Sequence, residues 1–236
     1  MTSTSVPRYA IYYTPQPGTP LEQFGKAWLS RTNGAAAAAK ITTSRIDPAR
    51  ISAITESSRR YGLHGTLKPP FELNPATTLD ALLGAARVFA RSIAPVEIPA
   101  LELAEIGKFI ALTPVSQSAA LEKLSAACVR AFEAFRMPLS DQQMNSYKLN
   151  KLTVHQEQML EHWGYPYVME EFRFHISLTD RIDDDQERQA VMENLQTLAA
   201  PILGQPNKIT DITIFSQAAR DEPMAEITRI PFGLRS

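Results

Sequence analysis

The stretch FRFHISL, Phe172–Leu178, decides how this chain is read. In an extended strand, successive side chains point to opposite faces. Phe172, Phe174, Ile176 and Leu178 then share a wholly apolar face, while Arg173, His175, Ser177 and the following Thr179 share the other. Far upstream, YGLHGTL at Tyr61–Leu67 divides the same way. Tyr61, Leu63 and Leu67 fall on the apolar side, and Gly62, His64, Thr66 and Lys68 on the polar side. The chain has 4 histidines, and two of them stand in near-copies of one pattern, His-x-Thr-Leu and His-x-Ser-Leu. Each copy offers an imidazole, a hydroxyl and a cation on one face.

The surroundings of the two motifs also repeat. IYYTP (Ile11–Pro15) and IALTP (Ile110–Pro114) are strand-like runs closed by Thr-Pro, and proline suits a strand's end better than its middle. An amphipathic stretch at Leu21–Leu29 follows the first. A helix from Ser118 to about Phe135, with its apolar residues on one stripe, follows the second. Beyond His64, Leu79, Leu82, Leu83, Ala86, Ala90 and Ile93 mark a helix leading to a strand at Val96–Ile106. Beyond His175, Val191, Leu195, Leu198 and Ile202 mark another, leading to Ile209–Phe215. A last strand-like run, AEITRIPF, closes the chain.

This order, met twice, predicts an α+β fold: a duplicated two-lobed domain over 1–236, with two antiparallel sheets forming a central cleft and helices outside. The repeats run approximately over 8–106 and 107–216, with a C-terminal strand at 224–232. The segment at approximately 137–171 has no counterpart in the first half. Within it, Thr153 and Gln156 read as a capping box opening a short helix that Gly164 and Pro166 end. Both histidine motifs are expected on central strands, with His64 facing His175 at on the order of 5–7 Å, so that one phosphoryl group touches both.

Composition narrows the classes. With 236 residues, 44% hydrophobic, 21% charged and a net charge of −1, the chain reads as an ordinary folded domain. That balance argues against a long nucleic acid as ligand, since such binding relies on many Lys/Arg–phosphate contacts. The single Cys128 has no partner for an internal disulfide, and its helical spacing among Leu121, Leu124, Ala131, Phe132 and Phe135 marks a buried structural thiol. MTSTSVPRYAIYY lacks a charged segment followed by an apolar one, and Ala35–Ala39 is too short to span a bilayer. A cytoplasmic protein without a membrane partner is expected.

The polar faces carry the chemistry. An imidazole with an unperturbed pKa near ~6.5 passes protons both ways near neutrality. Two of them flanking a substrate can act as general base on water and general acid to the leaving oxygen. Thr66 and Ser177 can donate hydrogen bonds to non-bridging oxygens, and Arg173 or Lys68 can neutralise developing charge. Phosphodiester cleavage uses these parts. Aligning IYYTP with IALTP sets Ile11 and Tyr13 against Ile110 and Leu112, and Tyr12 against the small Ala111 on the opposite face. Tyr12 is thereby a candidate substrate contact, as are Arg173 and Lys68 by parity and Tyr165 by its place in the unpaired segment.

The paired motifs resemble those of the two-histidine phosphoesterase superfamily, which includes bacterial RNA ligase/cyclic phosphodiesterase-like proteins and plant cyclic phosphodiesterases. His64, Thr66 and Leu67 match its first motif, and His175, Ser177 and Leu178 its second. The words RYAIYYTP, RYGLHGTLKPPF, WGYPYVMEEFRFHISLTDRI and ITIFSQ are similar to one uncharacterised branch that accompanies phosphonate-utilisation genes. The resemblance implies a phosphoric diester hydrolase needing no cofactor and no metal. It would act at a 2′,3′- or 1″,2″-cyclic phosphate or a related small phosphodiester, with a nucleotide or RNA end as another possible partner.

Two other classes stand beside it. His155 and His162, about two helical turns apart, suggest a metallohydrolase, although DRIDDD (Asp180–Asp185) reads as an acidic helix start and supplies no ligand cluster. Tyr9, Tyr12, Trp163, Tyr165 and Tyr167 could stack bases in a non-catalytic nucleotide or RNA-end binding module.

Overall fold

The computed structural model describes residues 6–29, 46–149 and 151–233, so the Ala35–Ala39 run lies outside the described residues. The first half runs β1 (Arg8–Tyr13), α1 (Pro20–Trp28), α2 (Pro48–Ile54), α3 (Glu56–Tyr61), β2 (Gly65–Glu72), α4 (Leu79–Arg91), β3 (Val96–Ile98) and β4 (Leu101–Ile106). The second runs β5 (Phe109–Pro114), α5 (Ala119–Ala131), α6 (Asp141–Lys148), α7 (Val154–Trp163), β6 (Ile176–Ser177), α8 (Asp185–Ala199), β7 (Asn207–Ile209), β8 (Asp211–Gln217) and β9 (Ala225–Pro231). Helix starts are set by side chains that accept otherwise orphaned N–H groups: Thr19, Thr78, Ser118 and Asp184 each cap one helix. Thr153 and Gln156 form the expected capping box, and Gly164 ends α7 in the left-handed conformation that glycine tolerates.

Two antiparallel sheets organise the molecule, one in the order β2-β1-β8-β9 and the other β4-β5-β6. The strands predicted at Val96–Ile106 and Ile209–Phe215 are each broken in two. Pro99 and Ala100 separate β3 from β4, and Thr210 separates β7 from β8. The leading pieces pair with each other, Val96 opposite Ile209 and Ile98 opposite Asn207. The trailing pieces cross over, so β4 pairs with β5 and β8 pairs with β1. Each sheet is therefore assembled from both halves of the sequence. Counted outward from the motifs, β2-β1-β8 and β6-β5-β4 are equivalent triplets.

One apolar cluster runs through both sheets, containing Ile11, Tyr13 and Leu67 from one and Ile110, Leu112 and Ile176 from the other. Cys128 is buried on α5, where desolvation pushes its thiol well up and leaves it inert. The alternation read in FRFHISL holds: Phe172, Phe174, Ile176 and Leu178 are buried, Arg173 is exposed, and His175 and Ser177 are partly exposed.

The motif strands are not central, however. β2 and β6 are each at the edge of their sheet, and His64 and His175 sit just ahead of the first paired residue. A central strand is flanked by neighbours on both sides. An edge strand leaves one flank open, and here those flanks belong to motifs that meet between the lobes.

Candidate active site

The two histidines are held by the same local device. Helix α3 ends at Tyr61, and Gly62, at φ 74°, turns the chain as few other residues could. The Gly62 carbonyl then lies 2.8 Å from His64 Nδ1. In the second motif, the Arg173 carbonyl lies 2.9 Å from His175 Nδ1. A carbonyl oxygen only accepts, so Nδ1 carries the hydrogen on both rings. Nε2 is consequently the nitrogen that gains or loses a proton when either ring titrates.

The hydroxyls are equivalent too. Thr66 stands opposite Tyr12 across β1–β2, and Ser177 opposite Ala111 across β5–β6. Next to them, Gly65 faces Tyr13 and Ile176 faces Leu112, which reproduces the alignment of IYYTP with IALTP. The motifs touch where Gly65 follows His64 and Phe174 precedes His175. A Cβ added at Gly65 would stand 2.6 Å from Phe174 Cε2. Cα atoms of β2 and β6 come within 8 Å of one another.

The tail of the second motif secures the helix that leads into the first. Asp180 accepts from Ser57 N at 2.7 Å and Ser58 N at 3.1 Å, at the start of α3, and its own N–H donates to Ile54 O at 2.6 Å. Trp28 Nε1 donates to Leu178 O at 2.7 Å. The acidic run Asp180–Asp185 therefore splits: Asp184 caps α8, whereas Asp180 ties one motif to the other.

The ring environments differ. The Tyr12 ring lies 4.1 Å from that of His64 and the Tyr61 ring 5.8 Å away, while His175 has Phe109 at 5.9 Å. Tyr12 is 1% exposed, and burial pushes its phenol well up, so it meets His64 as a neutral ring. Tyr165 packs edge-on against Tyr147 and Tyr167, and burial pushes its phenol up to about 12. Arg173 is exposed, and its Nη1 donates to the carbonyls of Glu170 (2.9 Å) and Phe172 (2.6 Å).

Lys68 is placed elsewhere than its parity predicts. The β1–β2 register passes from Tyr12–Thr66 directly to Ile11–Lys68, skipping Leu67. That β-bulge turns Lys68 to the core face, where it is 1% exposed and its Nζ donates to Val129 O (3.1 Å) and Glu133 Oε2 (2.9 Å). Burial lowers its pKa against the pull of Glu133. Lys68 thus fastens β2 to α5 and does not share a face with His64 and Thr66. Replacing Glu133 with Ala should cost on the order of 2–4 kcal/mol in urea denaturation, because it strands a buried ammonium. Lys68→Met, of similar length and without charge, should cost less than half as much.

Of the residues proposed from sequence, His64, Thr66, Tyr12, His175 and Ser177 gather along the junction of β2 and β6, with Arg173 beside His175. Sequence reasoning missed Gly62, Gly65, Phe174 and Asp180. The glycines bracketing His64 were the one visible signal. His155 Nε2 lies 3.8 Å from Glu170 Oε2, and the His162 ring lies against Trp163 at 4.5 Å. Among the described residues, no group of three or more His, Cys, Asp or Glu side chains is arranged to hold a metal ion. None of the described helices is long and apolar enough to cross a membrane.

A two-lobed α+β domain with duplicated histidine–hydroxyl motifs defines the structural class. Residues 66–225 match the family described as "Protein of unknown function (DUF1045)", and the chain belongs to that family. It is 31% identical over 236 residues to "Ribose 1,5-bisphosphate phosphokinase PhnN" of Janthinobacterium sp. (strain Marseille), covering 98% of this chain and 52% of that protein. The protein of the same name from Laribacter hongkongensis (strain HLHK9) is 31% identical over 179 residues, 75% of this chain and 41% of that one. The chain spans about half the length of the curated relatives it matches. Similar solved structures include E. coli LigT complexed with 3'-AMP, at 11% identity and TM-score 0.46 over 97% of this chain and 99% of that one. Kluyveromyces marxianus Usb1 with uridine monophosphate is also similar, at 11% identity and TM-score 0.37 over 97% and 99%.

Proposed function

We propose that this protein is a metal-independent phosphoric diester hydrolase that opens a cyclic phosphate or related small phosphodiester by paired-histidine acid–base catalysis. One observation carries the reading: His64 and His175 are anchored identically through Nδ1, each two residues before a hydroxyl, on motifs in direct contact. A surface histidine gains nothing from such duplication, whereas in-line displacement at phosphorus uses two proton carriers.

In this reading one Nε2 takes a proton from water, whose oxygen forms a bond to phosphorus. The ring P–O bond breaks, and the other imidazolium delivers its Nε2 proton to the departing oxygen. Thr66 and Ser177 donate to the non-bridging oxygens as negative charge builds there. Arg173 adds a guanidinium at the rim. Tyr12 holds the His64 ring by close, tilted ring contact and so acts as a positioning residue.

The name of the curated relatives favours a phosphorylated pentose as the carrier of the cyclic phosphate. A place in phosphonate use rests on the resemblance of the flanking words.

The test is turnover of a panel of cyclic phosphates, ribose 1,2-cyclic and nucleoside 2′,3′-cyclic among them, followed by ³¹P NMR. Thr66→Ala and Ser177→Ala should each lower kcat by about 10-fold, the loss of one charge-assisted hydrogen bond. No turnover across the panel, with tight binding instead, would make this a binding module.

A further inference from the structure

Arg8, Ala10 and Tyr12 alternate onto the face of β1 that is turned away from the main core, and Tyr12 meets His64 at one end of that row. At the Arg8 end the face opens into a pocket. Arg8, Glu72 and Arg220 wall it on the sheet side, and Arg136, Tyr147 and Trp163 on the other. Tyr147 and Trp163 belong to the segment at 137–171 that has no counterpart in the first half. That segment therefore closes a pocket along the edge strand β2, beside the Arg8 end of β1.

The lining is cationic in a chain whose net charge is −1. Among the described lining residues Glu72 is the one carboxylate, against Arg8, Lys68, Arg136 and Arg220. Lys68 and Arg136 are both engaged by Glu133. Arg8 donates to a neutral amide, Gln217 Oε1, and stands opposite Glu72 across β1–β2. Arg220 is 63% exposed at its side chain and stands 3.8 Å from Glu72. Arg8, Arg220 and the Tyr147 phenol line the same pocket.

We propose that this pocket binds a second anionic group of the substrate, a phosphate monoester remote from the cyclic phosphate, with Arg8 and Arg220 as its cations. This rests on the hydrolase reading and specifies its substrate class. Paired guanidiniums present planar sets of donors that match phosphate oxygens. Arg8 and Tyr12 share one face of β1, about 13 Å apart between Cα atoms. Tyr147, which also lines the pocket, offers a phenolic hydroxyl there.

The experiment is a calorimetric titration of ribose 5-phosphate, with ribose as the uncharged control, into wild type and Arg220→Gln. Arg220 is solvent-facing, so its replacement leaves the fold in place; Arg8→Gln serves as the second variant. Ribose 5-phosphate should bind wild type, ribose should not, and each variant should bind at least about 10-fold more weakly. Failure of ribose 5-phosphate to bind wild type, or equal affinity in wild type and Arg220→Gln, overturns the proposal. The two readings separate cleanly. Binding weakened by Arg220→Gln in a protein that turns over no cyclic phosphate keeps the pocket and removes the hydrolase. Turnover abolished in the histidine variants, with ribose 5-phosphate affinity equal in wild type and Arg220→Gln, does the reverse.

Discussion

Replacing His64 or His175 with Ala is expected to lower turnover of the cyclic phosphate by about 10²–10⁴-fold, the usual contribution of a positioned acid or base. Both rings donate Nδ1–H to a backbone carbonyl, so both present Nε2 for proton transfer. The two roles require opposite protonation states at that atom, one ring neutral and the other charged. Wild type should therefore show a bell-shaped dependence of kcat/KM on pH, and each single variant should lose one limb of the bell. Comparing the two surviving limbs would assign base and acid. The rate should persist in a chelator. Neither ring is in the buried core, so the melting temperature should hardly move, separating lost chemistry from lost fold. Turnover at the wild-type level in either variant would sink the proposed roles.

Adding one methyl group at Gly65 should be nearly as damaging. A Cβ there would meet Phe174 Cε2 at 2.6 Å and Cζ at 2.7 Å. The Phe174 ring is buried, with the Tyr13 ring 6.0 Å away, so it has little room to retreat. Overpacking of this kind costs about 1–3 kcal/mol. The larger effect is geometric, because the clash lies between the residue after one proposed catalytic histidine and the residue before the other. A displacement of about 1 Å between reacting groups costs on the order of 10²-fold in rate. Gly65→Ala is thus expected to lower kcat by about that factor, and Phe174→Leu in the same chain should restore part of it. If Gly65→Ala turned over substrate like wild type, the contact would not set the distance between the motifs.

What could be read in the sequence was whatever depends on local alternation. The buried face of FRFHISL follows from period two alone, and the correspondence of Tyr12 with Ala111 follows from aligning two Thr-Pro endings. Lys68 escaped the same logic because one extra residue at Leu67 resets the alternation, and nothing in PPFE or GTLK announces a bulge. Asp180 could not be assigned because its partners, Ser57 and Ser58, lie far away in the chain. The edge positions of β2 and β6 were likewise invisible: a strand pattern states which face is buried, not which neighbour it will pair with. The exchange of β4 and β8 between the sheets is the extreme case of that silence.

That exchange bears on how a ligand reaches the histidines. The chain passes from one lobe to the other through β3–β4 and returns through β7–β8, and the β3–β7 pair clasps the two crossings together. Swinging the lobes apart like jaws would strain both crossings and the core cluster shared between the sheets at once. In the proposed hydrolase the spacing of the two histidine motifs would in this sense be a fixed gauge, cut during folding, and a substrate would be selected by whether it fits rather than by how far it can make the protein yield.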